Sequence, residues 1–324
     1  MSGVLNQILD NCASVSGAFL KKGANSIEFL LDSPDGTSRA VIYTLLPGMA
    51  LTYFNINALA LPDSEENIGL KRLQFNYCVR GRVELLLDDD TYIYLKKNDF
   101  CISRQASKNE SFFPIKHYQG IALSFDIDLL SNLGRPILET FDLDFSHLQE
   151  IYCDKRGTYI AEANEKIKII LGKIWSLFEN PSLFYMRLYV IELLHLLLEK
   201  EMCQAKTCAF YTNIQVEIAK KAEEILTADL RKHIPIRLLA EQFSVSETSL
   251  KNYFRGVYGQ NISAYLRKLR MNTAAKLLAE TKIPISEVSI QIGYTKQGRF
   301  AAVFKQQFNM APLEYRRAKR LEKL

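Results

Sequence analysis

Apolar and polar positions change their rhythm along this chain, and the changes divide it. From Arg39 to about Asp128 the apolar residues come in short aromatic and β-branched runs: Val41–Leu46, Leu51–Ile56, Phe75–Val79, Val83–Leu87, Tyr92–Leu95, Phe100–Ser103 and Gly120–Phe125. Between them lie Pro47-Gly48, Arg80-Gly81-Arg82, Asp88-Asp89-Asp90 and Lys97-Asn98-Asp99, which read as hairpin connections. Closely spaced strands without intervening helices predict an antiparallel sandwich or barrel. Residues 1–30 read as a helix-prone lead-in.

After Pro136 the apolar residues recur at threes and fours, which predicts helices over Asn164–Phe178 and Pro181–Glu201. In the second, Leu183, Met186, Val190, Leu193 and Leu197 form one stripe with Leu194 and Leu198 beside it. A stripe that broad must be covered, either by the barrel or by a second copy of the chain. The period then fades over Met202–Thr212, the expected linker.

The last third repeats itself. Leu250, Phe254, Arg255, Tyr258, Gly259, Tyr265 and Arg267 stand 50 positions before Phe300, Phe304, Lys305, Phe308, Asn309, Tyr315 and Arg317, each pair matched in size or charge. Upstream, Leu239, Ala240, Phe243 and Val245 answer Val288, Ser289, Ile292 and Tyr294 at an offset of 49, so the second turn has one extra residue. Each copy reads as helix, turn, helix. The first comprises Ile236–Phe243, Ser244-Val245-Ser246 and a helix from Glu247 to Tyr258, with Ser246 as N-cap and Gly259 as left-handed stop. The second opens at Pro284, read as the first helical residue, turns through Gly293-Tyr294-Thr295-Lys296, and continues as Gln297–Phe308 with Asn309 as its stop. Asn213 caps a leading helix, and Ser263–Thr281 joins the copies with Leu266, Leu269, Thr273 and Leu277 on its expected buried side. Paired units of this kind place two helices in consecutive major grooves, which points to sequence-specific binding of double-stranded DNA.

Charge sharpens the division. The net charge of the 324 residues is +5, but residues 214–324 hold 20 Lys and Arg against 10 Asp and Glu, while the remainder holds 21 against 26. A basic module for a polyanion is thus joined to an acidic domain with another task. Met1–Leu20 contains Asp10 and Asn11 and no cationic start, so no secretory signal is expected. Leu183–Leu198 carries Arg187, Glu192 and His195, which excludes a membrane span there. Cys12, Cys78, Cys101, Cys153, Cys203 and Cys208 lack paired spacing and read as free thiols, so a cytoplasmic location is expected.

Catalytic patterns are sparse. A metal-holding barrel needs clustered His and carboxylate, and His117 stands alone among the strands, with His147 beyond them. Glu192 and His195 have the spacing of di-iron bundles but no second such pair accompanies them. No Gly-x-Ser-x-Gly elbow and no phosphate-cradling glycine loop occurs. No enzyme, no metal and no cofactor is therefore expected; the rival reading is a metal-dependent cupin-type enzyme with an appended DNA-binding domain.

The C-terminal pattern resembles the DNA-binding domain of the AraC-type (arabinose-regulator family) bacterial transcription regulators over roughly Ile214–Leu324. The resemblance is carried by Leu239-Ala240 with Phe243, by Ile292-Gly293-Tyr294, and by Phe300, Phe304-Lys305, Phe308-Asn309, Pro312 and Glu314-Tyr315-Arg316. It implies a seven-helix domain that inserts two recognition helices ~34 Å apart along B-DNA. It places base contacts on Thr248, Lys251 and Asn252 in the first unit and on Gln297, Gly298, Arg299 and Ala302 in the second. Phosphate contacts fall on Ser246, Lys296, Lys305 and Arg316. Lys296 departs from the family's short capping residue, which shifts the expected cap to Thr295. Gly298 costs about 1 kcal/mol of helix propensity relative to Ala, so the second reading helix is expected to order fully only on DNA. The strand-rich segment is compatible with the cupin-like barrel that such regulators carry as a sensor.

Together these features predict an α+β chain: a β-rich sensor at 1–140 (a cupin-like antiparallel barrel), a helical dimerisation segment and linker at 141–207, and an all-α double helix-turn-helix domain at 208–324. The function expected is that of a DNA-binding transcription regulator, an activator controlled by a small-molecule effector of unknown identity. Its other expected partners are RNA polymerase, as an activator requires, and a second copy of itself; no membrane is involved.

Overall fold

Alternation of side chains across a pleated strand needs a partner strand on each side to become a sheet, and the first part of the chain supplies ten of them among the described residues. The computed structural model describes residues 18–33, 35–61, 72–87, 90–104, 112–153, 157–199 and 209–321. The chain divides into two units, Met1–Thr212 and Asn213–Leu324.

In the first unit the strands are β1 (Ala18–Lys22), β2 (Ser26–Ser33), β3 (Gly36–Leu46), β4 (Met49–Ile56), β5 (Arg72–Leu86), β6 (Thr91–Lys96), β7 (Asp99–Arg104), β8 (Tyr118–Asp126), β9 (Thr158–Glu162) and β10 (Tyr211–Thr212). All described pairings are antiparallel, in the order β1-β2-β3-β4-β8-β5, with β5 then pairing β7 over its first half and β6 over its second. β9 adds to β7, and β10 adds to β6. The antiparallel β-rich architecture expected from the pattern is present. Several local expectations are not. Of the supposed helical lead-in at 1–30, residues 18–22 form β1 and residues 26–30 begin β2; residues 1–17 lie outside the described residues. Arg80-Gly81-Arg82 is no hairpin: β5 runs straight through it, with a register shift between Cys78 and Arg80. Gly81 there has φ +90°, and a β-carbon on it would stand 2.0 Å from the His117 carbonyl oxygen, so the backbone of β8 can approach only because the side chain is missing. Of the Asp88-Asp89-Asp90 turn, only Asp90 is described.

One face of the sheet, through Leu51, Tyr53, Phe75, Phe100, Ile121, Leu123 and Phe125, is covered by helices of the same unit. A helical turn (Ile127–Leu129) and a π turn (Leu130–Gly134) lead into α1 (Arg135–Thr140), followed by α2 (Phe145–Tyr152), α3 (Glu165–Ser176) and α4 (Leu183–Leu198). Asn164 caps α3 by accepting from the Ile167 amide at 3.0 Å. Three polar ties hold these helices down: Tyr53 Oη donates to the Ile174 carbonyl (2.7 Å), Tyr152 Oη to that of Leu197 (2.6 Å), and Arg187 Nε to that of Leu45 (2.7 Å). The stripe considered for dimerisation is therefore spent inside its own unit: Met186, Val190, Leu193 and Leu197 are buried in the cluster that α3, α4 and the sheet share. A second apolar cluster, including Ile56, Cys78, Tyr118, Val83, Ile93 and Leu95, fills the space between the opposite face and the β5–β6 sheet.

The second unit consists of seven helices among the described residues: α5 (Asn213–Thr227), α6 (Ile236–Gln242), α7 (Glu247–Tyr258), α8 (Ile262–Glu280), α9 (Ile285–Gln291), α10 (Gln297–Phe308) and α11 (Pro312–Leu321). Pro284 proves to be the N-cap of α9 rather than its first residue. The joining helix α8, capped by Asn261, buries Ile262, Met271, Ala274, Ala275 and Leu278, while Leu266, Leu269, Thr273 and Leu277 are only half-buried. The stripe rotates because α8 packs against α9, α10 and α11 as well as α7, and small Ala274 and Ala275 admit the closest neighbours.

Candidate nucleic-acid interface

The 49- and 50-residue offsets in the sequence reappear as matched atoms. In the first turn Ser244 is left-handed (φ 54°) and the Val245 amide donates to the Ala240 carbonyl at 3.0 Å. In the second, Gly293 is left-handed (φ 83°) and the Tyr294 amide donates to that of Ser289 at 2.9 Å. Both second helices stop on a left-handed residue, Gly259 or Asn309, whose amide closes on the carbonyl four residues back. Behind each lies an aromatic triad. Phe254, Tyr258 and Tyr265 have ring centroids 4.5, 5.4 and 4.9 Å apart, and Phe304, Phe308 and Tyr315 have 4.6, 5.4 and 5.3 Å. Leu250 and Phe254, and likewise Phe300 and Phe304, are buried at the same two helical positions. Each triad anchors the inner side of its helix, so the opposite side is held outward with a defined orientation.

Those outer sides carry the residues singled out from sequence. Thr248, Lys251 and Asn252 on α7, and Gln297, Gly298, Arg299 and Ala302 on α10, are all exposed, as are Ser246, Lys296 and Lys305. Lys251 Nζ rests 2.8 Å from Glu247 Oε2, one turn earlier. Any base contact by Lys251 would first break this exposed ion pair, a cost of about 0–1 kcal/mol. Glu247 was not singled out from sequence, although its i, i+4 spacing to Lys251 is a visible signal.

The second helices of the two units differ at their starts. Ser246 caps α7, accepting from the Ser249 amide at 3.0 Å. Lys296 stands at the same place before α10 with no side-chain cap, so neither Lys296 nor Thr295 satisfies the first-turn amides. α10 is nevertheless helical from Gln297 onward without DNA, since its inner phenylalanines lock it to α8 and α11. Gly298 has open space where a β-carbon would be and no positive φ. Nothing within the unit requires a glycine there.

Arg316 differs from the other three residues of the expected phosphate set. It is 8% exposed, and its Nη2 donates to the Ile283 carbonyl at 2.7 Å, joining α11 to the segment before α9. Burial, followed by repulsion from Arg320, lowers its pKa, and Nε makes no hydrogen bond among the described residues. This guanidinium is held within the unit rather than presented outward as Lys296 and Lys305 are. Arg317 and Arg320 on the same helix are exposed. Tyr265 Oη donates to Glu223 Oε1 at 2.7 Å, fastening α8 to α5; burial, then the carboxylate, raises the tyrosine pKa.

Residues 239–318 match a family described as a helix-turn-helix domain. The regulatory protein SoxS of Escherichia coli (strain K12) is 33% identical over 101 residues, which cover 30% of this chain and 94% of SoxS. The chain belongs to the AraC-type transcription regulators. The HTH-type transcriptional activator RhaR of Enterobacter sp. (strain 638) is 31% identical over 108 residues, covering 33% of this chain but only 38% of RhaR. Among solved structures, the C-terminal domain of AraT, a response regulator from Geobacillus stearothermophilus, aligns at 29% identity over 32% of this chain and 84% of its own, with a TM-score of 0.29. The relatives are transcription regulators, and this AraC-type chain is a DNA-binding transcription regulator. No helix among the described residues is long and apolar enough to cross a membrane.

Proposed function

We propose that this regulator is a cytoplasmic activator, not an enzyme, that reads two consecutive major grooves and answers to a small-molecule effector sensed by its β-rich unit. The observation that carries the reading is the duplicated unit itself: two helices held by equivalent aromatic triads, with exposed polar residues facing outward on a basic module. Thr248, Lys251 and Asn252 take bases in one groove, and Gln297, Gly298, Arg299 and Ala302 in the next. Lys donates to guanine O6 and N7, Arg does so in bidentate fashion, and Asn pairs with adenine. Ser246, Lys296 and Lys305 meet phosphates. As an activator it engages RNA polymerase. It also forms a homodimer, through Phe184, Tyr185 and Leu188, which are 69%, 47% and 46% exposed on the outer side of α4. Sedimentation of Leu188→Glu checks that surface: an unchanged mass in a dimeric wild type refutes it.

The test of base reading uses the full chain and an operator selected from random DNA. Lys251→Ala and Arg299→Ala each cost about 1–3 kcal/mol at that operator and little on random DNA. Lys305→Ala weakens both alike and reduces the salt slope by about 1. Equal losses on operator and random DNA for Arg299→Ala reject its role as a reader.

A further inference from the structure

The duplication in the second unit breaks at one place. Four residues (281–284) lead from α8 into α9, whereas eight (228–235) lead from α5 into α6. Both lead-ins run into the same three residues at an offset of 49, Ile234-Pro235-Ile236 and Ile283-Pro284-Ile285, so the surplus stands at 228–231. It builds a closed turn. The Lys232 amide donates to the Asp229 carbonyl at 3.0 Å, and the Asp229 carboxylate accepts from the Arg231 amide (3.1 Å) and guanidinium (2.9 and 3.0 Å). Two carbonyls of this turn meet different elements. That of Leu230 lies 2.3 Å from where a β-carbon on Gly293 would stand, against the second helix-turn-helix, and that of Lys232 accepts from Arg270 Nη2 on α8 at 3.2 Å. Among the described residues, Arg270 Nε and Arg316 Nε are the two enclosed side-chain polar atoms without a partner. Enclosing such a nitrogen is unfavourable, yet both arginines do so while holding the carbonyl of a lead-in, Lys232 in one copy and Ile283 in the other. Without the turn, α8 joins the copies along one line: its Tyr265 belongs to the first aromatic triad, and its Met271, Ala274, Ala275 and Leu278 to the second core. Attachment along a single line resists twisting poorly, and a second point off that line supplies the leverage.

We propose that the turn at 229–232 is a brace between the two copies, and that Arg270 is a positioning residue which, through the Lys232 carbonyl, fixes the separation and rotation of the two recognition helices. This rests on the two-groove reading above. One extra base pair between the contacted segments moves one groove by about 3.4 Å and turns it by about 35° relative to the other. A braced protein cannot follow that change and keep both sets of base contacts, so the brace selects the operator spacing. Arg270 itself touches no base. One brace suffices between two copies, which accounts for a surplus in one lead-in and not the other.

The experiment uses the full chain and its selected operator, with versions one base pair longer and one shorter between the two contacted segments. The affinity ratio of selected to shifted operator is read for wild type, Arg270→Met and Arg270→Lys. Wild type is expected to prefer the selected spacing by about tenfold or more, the scale of losing one or two base-pair contacts. Arg270→Met removes the donor together with an enclosed unpartnered nitrogen, so Tm should hold while the ratio falls to about threefold or less. Arg270→Lys still donates to the Lys232 carbonyl and should keep the ratio. If Arg270→Met does not fold, Asp229→Ala, which opens the turn without touching α8, decides by the same ratio. Affinity lost equally on selected and shifted operators marks a merely structural role and overturns the brace, as does an unchanged ratio. Base substitutions across the operator separate this failure from that of the two-groove reading. Sensitivity in one segment alone rejects the two-groove reading and the brace together. Sensitivity in both, with a ratio near one in wild type or a ratio indifferent to the variant, rejects the brace alone.

Discussion

Gly293 is a position in the second unit where one added methyl group meets backbone. It stands at φ +83° in the second turn, and a β-carbon on it would lie 2.3 Å from the Leu230 carbonyl oxygen and 3.3 Å from the Arg231 Cα. Two costs follow for Gly293→Ala. The left-handed conformation costs a residue with a β-carbon about 1–2 kcal/mol. Relieving a backbone overlap costs about 1–3 kcal/mol more, because the Leu230 carbonyl cannot rotate away as a flexible side chain would. The expected destabilisation is thus about 2–5 kcal/mol, a large share of the 5–15 kcal/mol that holds a typical domain together. The equivalent first-turn position separates the two terms. Ser244 adopts φ 54° with a side chain in place, so the left-handed turn alone is tolerated. Asn also tolerates that conformation, so Gly293→Asn should not rescue the loss if the close approach dominates. Urea unfolding followed by circular dichroism measures both variants, with operator binding as a second readout. A Gly293→Ala protein that unfolds at the wild-type midpoint refutes the argument, and a Gly293→Asn protein restored to wild type assigns the whole cost to φ.

Lys296→Ser supplies the side-chain cap that α10 lacks and should raise the stability of the second unit by about 1 kcal/mol in urea, even while removing a cation weakens DNA binding. Gly298→Ala, with open space around the added methyl, should add about 1 kcal/mol as well; a loss of operator affinity at gained stability would mean that DNA backbone or a base edge passes over that residue. Leu193→Glu puts a charge where exposure is 0%, so it should unfold the first unit rather than yield a folded monomer, as near-ultraviolet circular dichroism would show. Burial raises the Cys78 thiol from 9.0 to about 12, with Asp99 adding to the rise and Arg82 opposing it. Because the folded value is the higher one, its contribution to stability is complete below pH 9 and is lost between pH 9 and about 12. Slow alkylation of Cys78 at pH 8 in the folded protein, and a melting temperature that declines across that alkaline window, are the expected results; the decline should shrink in Cys78→Ala.

The second unit was legible in the sequence nearly residue by residue, whereas much of the first was not, and the reason lies in the range of the interactions. A helix bonds residue to residue within four positions, so the Ser246 cap, the Gly259 and Asn309 stops and the spacing of Phe300, Phe304 and Phe308 predict α7 and α10 to the residue. The repeat offsets predict the duplicated turn in the same way. A strand has no such local signature: β1 and β2 exist because residues 18–33 pair with each other and with β3, and β9 because Thr158–Glu162 meets β7 from more than fifty residues away. Gly81, read as a hairpin glycine, serves a close crossing with His117 that only the folded sheet creates. Partners also decide burial. The stripe of α4 was visible in sequence, but what covers it is the sheet and α3; Arg316 reads as a surface cation until Ile283 takes its guanidinium. Local hydrogen bonding thus wrote the helix-turn-helix half into the sequence, while pairing and packing between distant segments decided what the strand-rich half buries.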